Sequence, residues 1–115
     1  MSLPVTDREL LELAAKAAGL SIWKYGKTDG AFINNRAEAW SPLTNDGDAL
    51  RLAVMLGLTI APANGSRGDI VEVYSHSSLM GTSADGKAES HDGDPFAATR
   101  RAIVRAAAAI GESMQ

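Results

Sequence analysis

The chain of 115 residues contains no cysteine. This absence excludes disulfide bonds, thiolate zinc sites and cysteine nucleophiles, so the stability of the fold has to come from packing. Nothing in the composition is typical of an oxidising compartment. We therefore expect a cytoplasmic protein.

Long apolar runs are also missing. The longest run, from Leu52 to Leu58, has seven residues and contains Gly57, whereas a helix that spans a membrane needs about 20. Residues 1–5 lack the basic and apolar regions of a signal peptide, and we interpret them as a short leader. We expect neither membrane insertion nor secretion.

Charge of one sign is not concentrated in any part of the chain. The net charge is −3, with acidic and basic residues spread along the whole length, so no segment carries a field strong enough to attract a polyanion. Binding of nucleic acid is accordingly disfavoured. The apolar fraction of 45% includes 20 alanines, which leaves larger side chains for one modest core and predicts a single domain over residues 1–115.

Two helices are predicted in the first half of the chain. Thr6 and Glu9 have the spacing of a capping box, and Gly19 is placed to end the helix that begins there. The second helix begins around Asp46-Gly47-Asp48, whose carboxylates suit a helix start, and ends at Gly57. Because this second helix is apolar nearly all round, we expect it to be deeply buried.

The last helix has the clearest start signal, with Asp94 at the cap and Pro95 at the first helical position. Phe96, Ile103 and Ile110 are seven residues apart and predict one apolar stripe over five turns. Residues 106–109 are all alanine, and they could pack closely either against a second copy of the chain or inside the fold.

The strands predict the fold class. A hairpin is expected from residues 20–25 and 31–34, further strands at 58–60 and 69–74, and a weaker fifth at 87–91. Without regular alternation of strand and helix, we predict an α+β fold in which a small, mostly antiparallel sheet of four or five strands packs against three helices. Residues 35–45 are expected to be an ordered loop, and residues 75–93 a mobile loop or weak edge hairpin.

Candidates for catalysis lie in the segment 76–94. His76 and His91 have serines and acids nearby, but no nucleophile elbow is present, so we interpret them as exposed loop residues. Closely spaced acids at Asp46/Asp48 and Asp92/Asp94 are interpreted as helix caps. A cation site is the alternative, built from Asp85, Glu89, Asp92 and Asp94. We predict no catalytic residue, no cofactor and no metal, and keep a hydrolase or metal-dependent enzyme as an alternative.

Four residues are candidates for binding a partner. Arg100, Arg101 and Arg105 could present three planar donors on one helix, to a protein or to phosphates. Pairing inside the chain with Asp46, Asp48 or Glu112 is the favoured interpretation for them. Trp40 is either a cover over the core or a residue that contacts a ligand.

Three segments carry a resemblance to known proteins: residues 6–12, residues 40–52 with Trp40-Ser41-Pro42-Leu43, and residues 94–104 from Asp94-Pro95-Phe96 onward. Together they resemble a group of small phage and prophage proteins and, more loosely, the phage NinX-like proteins. The resemblance implies a phage or prophage protein in a bacterial cytoplasm. It implies no activity and no catalytic residue.

The combined prediction is a non-catalytic accessory module that binds a host or phage protein. A nucleic-acid adaptor that uses the arginine face of the last helix is one alternative, and the enzyme of segment 76–94 is the other. Homodimer formation is left open.

Overall fold

The computed structural model describes residues 6–20, 22–25, 32–34, 39–64, 70–75, 87–90 and 93–114. Three helices are present in these ranges: α1 Asp7–Ala18, α2 Asp46–Leu56 and α3 Pro95–Ser113. Six strands accompany them: β1 Ile22–Tyr25, β2 Phe32–Asn34, β3 Ala39–Trp40, β4 Leu58–Asn64, β5 Ile70–Ser75 and β6 Lys87–Ser90. The predicted α+β class is confirmed. The leader at residues 1–5 and most of segment 75–93 lie outside the described residues.

Helix α1 begins as predicted. The Glu9 amide donates to the Thr6 hydroxyl oxygen at 3.2 Å, and the Thr6 amide donates to the Glu9 carboxylate at 3.3 Å. Each half of this capping box satisfies an amide that lacks a partner within the helix. Gly19 ends α1 in the left-handed conformation, with φ of 71°.

Helix α2 has a different cap from the one predicted. Asn45, rather than an aspartate, occupies the cap position, and its side-chain oxygen accepts from the Asp48 amide at 2.9 Å. This arrangement leaves the carboxylates of Asp46 and Asp48 available for other contacts. Gly57 ends the helix with φ of 65°, a conformation that glycine adopts without a steric penalty.

Helix α3 is capped by Asp94 and has Pro95 in its first turn, as predicted. The predicted apolar stripe is wrong at its start, because Phe96 is an exposed residue. The buried band of α3 consists mainly of small residues, since α3 contacts α1 and α2 as well as the sheet of β4, β5 and β6. Ala106, Ala107 and Ala108 are buried inside the chain.

The strands form two antiparallel sheets of three strands within the described ranges, in the orders β1-β2-β3 and β4-β5-β6. The prediction of one sheet with four or five strands is not confirmed. The expected hairpin is present as β1 and β2, but β3 lies in the segment expected to be a loop, and it pairs with β2 through Phe32 and Trp40. A strand of two residues has no periodicity from which it could be predicted.

The core lies around α3, which contacts both of the other helices and three strands. Its largest fully buried side chains include Leu11 from α1, Leu52 from α2, Val71 and Val73 from β5, and Val104 from α3. Helix α2 contributes only its inner face, made of Ala49, Leu52 and Ala53. The expectation that α2 is deeply buried is therefore wrong for its outer face.

Candidate functional site

Trp40, one of the predicted partner-binding residues, lies in the core. Its side chain is 6% exposed and packs with the buried cluster. The next residue, Ser41, is also buried, and its backbone amide donates to the Asp48 carboxylate at 2.9 Å. Trp40 therefore covers the core and offers little surface to a partner.

Arg100 connects α3 to the start of α2. Its Nε donates to the carbonyl oxygen of Leu43 at 2.9 Å, and its Nη1 lies 2.6 Å from Oδ1 of Asp46. The Arg100 side chain is only 18% exposed, whereas the Asp46 side chain is 70% exposed. The predicted pairing of Arg100 inside the chain is present, and it fixes the loop before α2 against α3.

The two other arginines of α3 also have partners. Arg101 makes a bidentate contact with the Asp7 carboxylate, in which Nη1 donates to Oδ1 at 3.1 Å and Nη2 donates to Oδ2 at 3.3 Å. Arg105 has an interaction within the chain as well. Asp7 was not among the anions named from the sequence, which were Asp46, Asp48 and Glu112. The three guanidinium groups therefore do not form an unoccupied basic face.

The two acids at the start of α2 bind groups from neighbouring parts of the chain. Asp48 accepts from the Ser41 amide through Oδ2 and from Arg51 through Oδ1, the latter at 2.7 Å. Asp46 is bound to Arg100. Among the described residues no group of three or more acids and histidines is placed to hold a metal ion. His76, His91, Asp85 and Asp92 lie outside the described residues.

The outer face of α2 is exposed and mostly apolar, and it also carries Arg51, whose side chain is 70% exposed. Leu50, Val54 and Met55 are 59%, 72% and 54% exposed, respectively. We call these three residues the α2 outer face. A helix that is apolar all round is ordinarily buried on all sides, but within the described part of the chain α2 is covered on its inner face only.

A groove between α2 and α3 adjoins this face. It is a cavity of about 400 Å³ that is open to solvent. Its apolar lining consists of Ala49 and Leu50 from α2, Ile60 from β4, and Phe96 and Ile103 from α3. Ile103 and Ala49 are buried and form the floor, while Leu50 and Phe96, which is 68% exposed, form the rims. We call this cavity the α2–α3 groove.

Three polar residues also line the groove: Asp46, Thr99 and Arg100. The Thr99 hydroxyl donates to the Pro95 carbonyl oxygen at 2.7 Å, and Arg100 is bound to Asp46. Among the described residues, the groove lining therefore holds no pair of a nucleophile and a general base. Its chemistry is that of an apolar contact surface with one exposed carboxylate.

The residues that form this surface were not predicted as binding residues. The signal was present in the sequence, because Leu50, Val54 and Met55 make α2 apolar on more than one face. A sequence pattern alone cannot decide whether such a helix is covered by its own chain or by a partner. Phe96 was assigned to the core stripe for the same reason.

Comparison with known proteins gives no relative. No family model, no curated protein and no solved structure matches the chain. The comparisons neither support nor oppose the resemblance to phage proteins. Helices in the described ranges are too short or too polar to cross a lipid bilayer.

Proposed function

We propose that the chain is a non-catalytic protein-binding module that contacts its partner through the α2 outer face and Phe96. The observation that carries this proposal is the exposure of more than half of each of the four side chains. Neighbouring residues of α2, such as Leu52, are fully buried. The exposed residues therefore belong to two helices, α2 and α3, each of which has another face buried in the core.

The energetics favour a protein partner for such a surface. Covering an exposed Leu, Val, Met or Phe side chain completely contributes about 1.5–3 kcal/mol relative to leaving it in water. Leu50 and Phe96 are exposed apolar residues that line a concave site, which is typical of surfaces that bind proteins or ligands. Phe96 and Leu50 rise on the two sides of the groove, where anchor residues of a partner would be enclosed.

The cellular setting rests on the resemblance to phage and prophage proteins. On that basis the partner is a host or phage protein, and the site of action is the cytoplasm of a bacterial cell. The resemblance includes residues 40–52 and 94–104, which contain Leu50 and Phe96.

The two alternatives have less support. A nucleic-acid adaptor would use Arg100, Arg101 and Arg105, each of which already has an interaction partner within the chain. An enzyme would use residues 76–94, and both histidines of this segment lie outside the described residues. No contact or cavity among the described residues supports either alternative.

Affinity capture with matched variants tests the proposal. Three forms would each be immobilised and exposed to an extract of the cells that carry the gene for the chain. They are the full-length wild type, the double variant Leu50→Gln/Phe96→Gln and the control Met114→Gln. Met114 is an exposed apolar residue at the end of α3, away from the groove lining. Captured proteins would be identified, purified and titrated against all three forms.

We expect a purified partner to bind the wild type and Met114→Gln with equal affinity. The double variant should bind at least roughly tenfold more weakly, which is the loss expected when two anchor contacts are removed. Equal affinity for all three forms would overturn the proposal. Circular dichroism and thermal unfolding of each form would show that the comparison is made between folded proteins.

A further inference from the structure

We propose that the segment bound by this surface is an amphipathic helix that carries a basic residue one turn beyond a pair of apolar residues. The inference rests on the proposed function and names the class of partner. It depends on the order in which charged and apolar side chains follow one another along α2, and on the groove beside them.

The spacing along α2 gives the first argument. Asp46, Leu50 and Val54 are separated by four residues each and lie along one side of the helix. With a rise of about 1.5 Å per residue, successive members of this series are about 6 Å apart. The same distance separates side chains at positions i and i+4 of any other helix. A partner helix aligned with α2 can therefore match the carboxylate, the leucine and the valine with three of its own residues.

The groove gives the second argument. Its volume of about 400 Å³ lies within the range of roughly 300–1,000 Å³ that is typical of ligand-sized pockets. Because Leu50 and Phe96 border it while Ile60 and Ile103 line it, it can enclose a large apolar side chain of a partner. A helix that lies in a groove between two helices inserts such anchors at intervals of three or four residues.

Charge gives the third argument. Oδ1 of Asp46 contacts Arg100, yet 70% of the Asp46 side chain remains exposed. The carboxylate can therefore accept a second donor from outside the chain, and a carboxylate accepts from Lys or Arg. The Asp46 end of the surface therefore favours a basic residue in the partner.

An extended partner segment is less suited to this part of the molecule. Strand β4, which carries the groove residue Ile60, is an edge of its sheet. It contains Pro62, which has no amide to donate, and its pairing with β5 shifts register between Ala61 and Asn64. Proline and irregular register both oppose the addition of another strand to an edge.

A second copy of the chain does not supply the required charge. In an antiparallel pair of α2 helices, Asp46 would approach the last turn of the other α2, which has no basic residue. In a parallel pair, Asp46 would approach another Asp46. Either arrangement places no basic residue of the facing helix opposite Asp46, because Arg51, the one basic residue of α2, lies in the middle of the helix and is bound to Asp48 of its own chain at 2.7 Å.

Selection from a peptide library tests the inference. The library would display helix-forming peptides of roughly 18 residues, long enough to be helical when bound. Apolar residues would be fixed at positions i and i+4, and the positions one turn before and after them would be randomised. Selection would use the full-length wild type, with depletion on Leu50→Gln/Phe96→Gln. Synthetic copies of the recovered peptides would be titrated by fluorescence anisotropy.

We expect the recovered peptides to carry Lys or Arg one turn from the apolar pair. Their affinity should fall roughly tenfold or more for Leu50→Gln/Phe96→Gln. It should fall roughly two- to fivefold for Asp46→Asn, as expected for an exposed charge pair, and stay unchanged for Met114→Gln. The inference is overturned if no peptide prefers the wild type to the double variant, or if basic residues are not enriched.

The failure of this inference can be distinguished from the failure of the proposed function. A natural partner whose binding depends on Leu50 and Phe96, together with an unsuccessful peptide selection, would leave the binding surface in place and reject the helical partner. Sedimentation of the wild type alone adds a further result. Self-association that is lost in Leu50→Gln/Phe96→Gln would show a second copy on the surface and contradict the inference.

Discussion

Gly111 of α3 lies directly against the backbone of Leu13 in α1. A Cβ atom placed on Gly111 would overlap the Leu13 carbonyl oxygen and lie 2.8 Å from the Leu13 carbonyl carbon. Neither backbone atom can move without a shift of the whole helix. The contact between α1 and α3 therefore depends on the absence of a side chain at this position.

The substitution Gly111→Ala should consequently destabilise the protein. Overpacking of this kind costs about 1–3 kcal/mol or more in the free energy of unfolding, and urea denaturation followed by circular dichroism would measure it. Gly47→Ala is the matched control, because a Cβ there would contact only the side-chain ends of Asn45 and Arg51, at 3.2 Å or more. We expect Gly47→Ala to leave stability unchanged or to raise it by up to about 1 kcal/mol. Equal stability of the two variants would contradict the close contact of α1 and α3.

Arg100 and Arg101 are neighbours in sequence, but their contributions to stability should differ. Arg100→Met removes a largely buried donor from the Leu43 carbonyl oxygen as well as the contact with Asp46, and we expect a loss of about 1.5–3 kcal/mol. Arg101→Met removes a half-exposed ion pair with Asp7, which should cost less than about 1 kcal/mol. Chemical denaturation of both variants checks the difference. A larger loss for Arg101→Met would be inconsistent with the contacts described.

The α2 outer face should contribute little to folding. Val54 is exposed, and glutamine has the higher helix propensity, so Val54→Gln should change the free energy of unfolding by no more than about 0.5 kcal/mol. Leu52→Ala, two residues away on the inner face, should cost about 2–5 kcal/mol, because Leu52 is 1% exposed. Thermal and urea unfolding of the two variants would measure the contrast. A strongly destabilised Val54→Gln would mean that the chain itself covers this face.

Local signals in the sequence were sufficient to predict the helices. The capping box of Thr6 and Glu9 and the Asp94-Pro95 start involve residues within three or four positions of each other, so they are independent of the rest of the fold. The cap of α2 was misassigned because Asn45 and two aspartates compete for it over four positions. Strand β3 is too short to show a pattern.

Contacts between distant segments were predicted only in part, since Asp46 was among the anions expected to pair with the arginines of α3 and contacts Arg100 across 54 positions. Arg101 reaches Asp7 across 94 positions, and no periodicity or motif relates the two. The exposure of Leu50 and Phe96 could not be predicted either, because it depends on which elements of the chain cover α2 and the start of α3. The sequence therefore indicates an apolar helix but not that its outer face is left for a partner.

Site-specific photo-crosslinking in the cells that carry the gene for the chain would test most directly whether the α2 outer face and Phe96 bind a protein partner. A photoreactive phenylalanine analogue would be introduced separately at Val54, at Phe96 and, as a control, at Glu12, which lies half-exposed on α1. We expect Val54 and Phe96 to give the same crosslinked protein partner and Glu12 to give none. Crosslinks of equal yield from all three positions, or none from Val54 and Phe96, would contradict a binding surface formed by the α2 outer face and Phe96.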